Sequence, residues 1–211
     1  MNKLNIKAGF ERKGYDKIMQ KLGMVSKSTT IINVINQAAK RAAAAGATET
    51  KRRIKRSYTL RPEKVNKAVS TYATGSPLDM AIGVKISDSS HPLSRFKFTP
   101  KKPPKKRGIV VSSEVKRGQK DVYTKGAFVQ TMPKNNHTGI FQREDEKRKS
   151  MDSHGRTIED SKEKVHINPL FGPPVTKMVE SNDNINKAIW DKMFETMEVR
   201  VNHELGRLLN V

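Results

Sequence analysis

An α+β fold is predicted, built as one small antiparallel sheet of about five strands flanked by a long N-terminal helix and a long C-terminal helix. Three patterns carry that prediction. Ile31, Ile32, Ile35, Ala38, Ala39, Ala42 and Ala45 recur at the three-to-four spacing of a helix face. Met80, Ile82, Val84 and Ile86 alternate with Ala81, Gly83 and Lys85, the signature of a half-buried strand. Ile185, Ile189, Met193, Met197, Val201, Leu205 and Leu209 fall at an unbroken spacing of four, which again is helical.

In chain order, residues 1–27 carry Gly9, Gly14 and Gly23 without sustained periodicity and read as an N-terminal arm. Residues 28–211 read as a single α+β domain. Its first helix starts at the Ser28-Thr29-Thr30 cluster, and its small residues permit close approach of a neighbour. It continues past Gly46 through Glu49, Arg52, Arg53 and Arg56, where basic side chains suit the negative end of the helix dipole. A second helix begins at Pro62, a favourable first-turn position, and runs through Val65, Ala68 and Val69 to Tyr72. After the 80–86 strand and the Ser87–Ser90 turn, residues 95–107 combine Pro100, Pro103 and Pro104 with seven cations, so a loop that neither pairs nor coils is expected. Strands are predicted at 108–115, 126–132, 138–143 and 164–168, with 142–164 as a charged, solvated insertion. Phe128, Ile140 and Phe141 are expected in the core, and Gly126 is expected to allow close backbone approach at a strand start.

The apolar row of the C-terminal helix has a physical consequence. A helix turns in about 3.6 residues, so a spacing of four drifts by about 40° per step and winds about 240° over six steps. Either the helix bends around its own domain, or its two ends face different partners. In the second case Leu205 and Leu209 bury against a neighbouring subunit.

Lys and Arg outnumber Asp and Glu by 42 to 21, which points to a polyanion or an acidic partner. The excess is uneven. Residues 1–70 carry 17 basic against 4 acidic side chains, and 95–134 carry 12 against 2, whereas 142–164 holds seven of each. With no cysteine, disulfides and thiolate metal sites are excluded. No apolar run long enough for a membrane span or signal peptide occurs, so synthesis in the cytoplasm with no membrane partner is expected.

Chemistry-bearing spacing is missing. His91, His137, His154, His166 and His203 form no paired ligand motif, and the Asp152, His154, Glu159, Asp160 group lies in a run of alternating charge that reads as a solvated face. No nucleophile elbow or phosphate-cradling glycine loop is present. The expectation is no enzyme, no cofactor and no metal. Lys97, Lys101, Lys102, Lys105, Lys106 and Arg107 are the candidate contact residues. Without interleaved aromatics or clustered Asn, Gln and Arg, they suit double-stranded DNA phosphates touched by nonspecific charge, or an acidic protein ring. A merely solubilising loop has the same composition.

Four phrases go further. They are Pro92-Leu93-Ser94-Arg95-Phe96, Lys125-Gly126-Ala127-Phe128-Val129-Gln130-Thr131-Met132, His137-Thr138-Gly139-Ile140-Phe141-Gln142-Arg143, and Val165-His166-Ile167-Asn168-Pro169-Leu170-Phe171-Gly172-Pro173-Pro174-Val175. In this order and at this spacing, across residues 28 to 211, the chain resembles the minor tail protein Z family, the tail-completion proteins of long-tailed bacteriophages. The resemblance implies a structural virion protein of the neck, assembled in the host cytoplasm as a homo-oligomeric ring around the DNA path. It would complete the tail for head-tail joining and help position the DNA end. Its partners would be the tail terminator, the tail tube and the head-tail connector. Phe171, at the Gly-Pro-Pro corner, is then an anchor in the core or in a subunit groove, and it joins Leu205 and Leu209 as an expected interface residue. The arm 1–27 and the insertion 142–164 depart from the family pattern. The alternative reading is a nonspecific basic nucleic-acid-binding protein outside a virion.

Overall fold

The computed structural model describes residues 2–8, 28–76, 79–105, 109–123, 126–132, 136–143, 150–151, 157–158 and 167–209. It is α+β, and the chain divides into two units. The first comprises residues 1–56, 62–89 and 174–211, the second residues 57–61 and 90–173.

The first unit holds strands β1 (Asn2–Ala8), β2 (Val69–Ser76) and β3 (Asp79–Asp88) in the antiparallel order β1-β3-β2. Alternation along β3 sends Ile82, Val84 and Ile86 to the buried side, with Ile6 opposite Val84 and Val69 opposite Ile86. Residues 2–8 thus belong to the sheet rather than to an arm. The remainder of 1–27 lies outside the described residues.

Helix α1 (Ser28–Ser57) runs through Gly46 as expected, and that glycine has a reason. A Cβ there would fall 2.5 Å from Met193 Cγ and 3.2 Å from Val84 Cγ2, so a strand residue and a helix residue both use the space. Ala38, Ala39, Ala42 and Ala43 form one buried cluster with Ile82, Met197 and Val201. Helix α2 (Pro62–Ala68) stops four residues short of the expected Tyr72, because Val69-Ser70-Thr71-Tyr72 enters β2 and pairs with β3. β-Branched and aromatic side chains favour that pleated surface.

The C-terminal helical pattern is two helices, α3 (Val175–Glu180) and α4 (Asp183–Leu209). The Asp88 carboxylate at the end of β3 accepts the Val175 N–H (3.1 Å), satisfying one exposed donor of α3. Asn182 accepts the Ile185 N–H (3.3 Å) and starts α4 in the same way. Ile185, Ile189, Met193, Met197 and Val201 are all buried within this unit, so the winding row serves its own unit as far as Val201. A row at spacing four is an inclined ridge. On α1 the rows Ala38-Ala42-Gly46 and Ala39-Ala43-Ala47 are inclined ridges too, and ridges pack into grooves between helices without the waste a flat sheet would impose. The side chains of Leu205 and Leu209 lie outside the described set.

α1 also carries an internal ion cluster. Glu49, only 7% exposed, accepts from Arg52 (2.8 Å to each carboxylate oxygen) and from Arg53 (2.6 Å). The Arg52 hydrogen bond, opposed by burial and aided by Arg53, lowers the Glu49 carboxyl from 4.5 to about 2. Since the folded value lies below the unfolded one, the cluster stabilises above about pH 4.5, and this contribution drains away as pH falls towards 2. Thermal melts of Glu49→Gln should show lower stability at neutral pH. Between about pH 5 and pH 2 the variant should lose stability less steeply than the wild type.

The second unit contains four small antiparallel sheets among the described residues. Strands β5 (Lys97–Thr99), β6 (Val111–Glu114) and β7 (Asp121–Tyr123) form one, and β8 (Ala127–Met132), β9 (His137–Arg143) and β12 (Ile167–Pro169) form another. β4 (His91–Pro92) pairs with β13 (Phe171–Gly172), and β10 (Ser150–Met151) with β11 (Thr157–Ile158). One sheet of five strands is therefore replaced by several small ones. The clearest strand, β3, takes β1 and β2 as partners in the first unit. Backbone turns such as Gly126 at φ +63° divide the others. A side chain at Gly126 would meet only Arg143 backbone at 3.8 Å, so the dihedral, not close approach, requires glycine there. Ile140 and Phe141 are buried, and Phe128 stacks obliquely on Phe141 with centroids 6.1 Å apart.

Candidate partner-binding surfaces

The basic segment 95–107 begins as structure, not loop. Phe96 and Phe98 point into the unit while Lys97 and Thr99 point out, and β5 pairs with β6 so that Lys97 stands opposite Glu114. The expectation that this stretch cannot pair is overturned over 97–99. Lysine charge hid a period-two alternation whose apolar members are phenylalanines, and the prolines begin only at Pro100.

A seam from residues 57–61 holds the strand in place. Thr59 N–H donates to Val115 O (3.0 Å), the Thr59 hydroxyl donates to Glu114 O and accepts from Lys97 N–H (3.1 Å), and Arg61 N–H donates to Arg95 O (3.2 Å). Buried Tyr58 bridges to Lys116.

Electrostatically, the six candidate cations separate. Lys97 Nζ lies 2.6 Å from the Glu114 carboxylate, which also accepts the Gly118 N–H (2.9 Å). The Lys97 hydrogen bond, followed by that of Gly118, pushes the Glu114 carboxyl down. Lys97 is thus engaged with a carboxylate that sequence spacing did not connect to it. Lys101 Nζ sits 4.7 Å over the Phe98 ring, a cation–π contact that lays its stem back on the sheet. Lys102 and Lys105 are exposed, while Lys106 and Arg107 lie outside the described residues.

Phe171 is 54% exposed, opposite Pro92 in the β4–β13 pair, so of its two expected places it is not in the core of its own unit. Its neighbour Gly172 is the buried one. A Cβ on Gly172 would fall 2.6 Å from the Phe96 ring, so the corner and the Pro92–Phe96 phrase interlock there. Arg95 donates to His91 Nδ1 (3.2 Å) within the same group. Trp190 and Phe194 have no place in the sequence-based expectations. They are 45% and 59% exposed, one turn apart on α4, beside the buried row.

Among the described residues, no group of three or more His, Cys, Asp or Glu is placed to hold a metal ion, and no helix is long and apolar enough to cross a membrane. Comparison of the chain with protein-family models, with curated proteins and with solved structures finds no match.

Proposed function

We propose that the chain is a structural virion protein of the phage neck, completing the tail for head-tail joining and helping to position the DNA end. One observation carries the reading. Residues from all four phrases that resemble the minor tail protein Z family are bonded to one another within the second unit, which holds them all except Pro174 and Val175. Leu93 N–H donates to Leu170 O (2.9 Å), Leu170 N–H donates to Ile140 O (2.9 Å), Phe171 pairs with Pro92, and Phe128 pairs with Phe141. The resemblance thus falls on one connected part of the fold, as a shared architecture requires. The charge supports the same reading, because a ring around a DNA path gains from nonspecific phosphate contacts, here by Lys101, Lys102 and Lys105.

Exposed Phe171 fits a groove of a neighbouring subunit in a homo-oligomeric ring, with Leu205 and Leu209 as further interface residues. The tail terminator, tail tube and head-tail connector are the proposed protein partners. Negative-stain imaging of the purified chain, alone and with tail tubes carrying their terminator, tests this. Rings, or density capping the tube end, are expected. A chain that stays monomeric, ignores tubes and binds only DNA is instead a nonspecific nucleic-acid-binding protein outside a virion.

A further inference from the structure

We infer that the exposed face of α1, in the first unit, is a binding surface for the phosphodiester backbone of duplex nucleic acid, distinct from the basic loop of the second unit. The helix carries seven basic residues and one acidic. The acid, Glu49, is buried and held by Arg52 and Arg53, so it is withdrawn from the outer face.

At about 100° per residue, Lys40 and Lys51 fall within about 20° of each other, forming one row. Arg41, Arg52 and Arg56 form a second row about 100–160° around from Lys40. Between the rows lie Ala44 and Thr48, both exposed, with the Thr48 hydroxyl turned back onto the Ala44 carbonyl (3.0 Å), and at the C-terminal end Lys55, whose ammonium donates to Asn66 Oδ1 (3.0 Å). The face is therefore a strip of small side chains with cations along both margins and Lys55 across its C-terminal end. From Lys40 to Arg56 it extends about 24 Å at 1.5 Å per residue.

The shape matches a continuous line of negative charge lying along the helix. A duplex presents about one charge per 1.7 Å of its axis, so phosphates reach both margins over that length. No aromatic residue stands on the exposed face of the described part of the helix to stack unpaired bases, which favours a duplex over a single strand. The rows are too far apart for all their members to reach one base edge, so recognition is by charge and not by sequence. This surface does not rest on the tail reading and would serve equally a protein that works outside a virion.

The test uses the full chain and a labelled random-sequence DNA duplex, with affinity followed by fluorescence anisotropy across a salt series. Arg52 is left in place because it holds Glu49. In K40Q/R41Q/K51Q/R56Q, the log–log salt slope should shrink by about 3–4, at about 0.9 for each phosphate no longer neutralised. Circular dichroism and thermal melting should remain those of the wild type. K40R/K51R should keep the wild-type slope, and K101S/K102S/K105S in the second unit should change it by less than the α1 variant does. Should the quadruple variant misfold, K40Q/K51Q and R41Q/R56Q are each expected to give about half the effect. An unchanged slope in folded α1 variants would overturn the inference, as would failure of the wild type to bind the duplex. Displacement of the duplex by polyglutamate at equal charge concentration would overturn it too, assigning the face to an acidic protein. Tail capping in the imaging experiment does not depend on this result, so the two readings fail separately.

Discussion

Gly172→Val is expected to destabilise the protein by about 3 kcal/mol, the upper part of the range for forcing extra carbon into a filled core. At this position the first added carbon already falls 2.6 Å from Phe96 Cε2, 3.0 Å from Cζ and 3.4 Å from Leu93 Cδ2. Neither neighbour can yield easily, since Phe96 and Leu93 are both buried. The backbone of Gly172 is not in the left-handed region, so the cost is steric alone. Shrinking the ring should therefore relieve it. Phe96→Ala by itself costs about 3–5 kcal/mol, but in that background Gly172→Val should cost at least about 1 kcal/mol less. Urea denaturation of the four proteins in the cycle measures both quantities. A single Gly172→Val variant within about 0.5 kcal/mol of the wild type would show that the corner and the Pro92–Phe96 phrase are not locked together.

Ile189→Ala should cost about 2–5 kcal/mol, the range for truncating a buried aliphatic side chain and leaving a cavity. Ile189 is 0% exposed and is the second of the five buried members of the α4 row, flanked by Ile185 and Met193. Trp190, its immediate neighbour in sequence, is 45% exposed, so Trp190→Ala should change stability by no more than about 1 kcal/mol. The contrast between adjacent residues is the measurement. Equal losses at both positions would mean that α4 does not present the row inward.

How much of this was legible in the sequence depended on whether local pattern and tertiary partner agreed. β3 was readable because Met80, Ile82, Val84 and Ile86 alternate strictly, and α1 because Ala38, Ala39 and Ala42 keep helical spacing while burying small surfaces. β2 was not. Val65, Ala68, Val69 and Tyr72 satisfy a helical spacing of three to four, and only the pairing of Val69–Ser76 with β3 decides in favour of a strand. β1 contributes Leu4 and Ile6 to the sheet from within a stretch otherwise marked by glycines, too little apolar surface to announce itself. The division into two units left no compositional trace, because the chain crosses between them in short stretches near Arg56, Arg61, Ser89 and Pro173 rather than through linkers. For the candidate surfaces, the cations could be located in sequence, but not their state. Whether Lys97 meets solvent or Glu114 depends on a strand register formed across the proline-containing segment. The outer face of α1 was hidden for the opposite reason. Its charge was visible in the total for residues 1–70, yet the inward turn of Glu49 and the small strip of Ala44 and Thr48 appear only when the buried face is known.

The discontinuous first unit also sets an order of events during synthesis. α1 emerges early and Ile82 of β3 follows it, but the other two partners of its alanine face, Met197 and Val201, belong to α4, which is made after every other described element. The second unit, apart from residues 57–61, is drawn from the continuous stretch 90–173 and is fully translated before α4 begins. The nascent chain therefore carries an incompletely covered apolar helix face while the middle of the protein is already able to fold. Such transiently exposed surface is where chains of this size aggregate or recruit chaperones. Small residues soften the hazard: a row of alanines and a glycine offers little sticky area while it waits, and becomes a tight seat only once methionine and valine arrive.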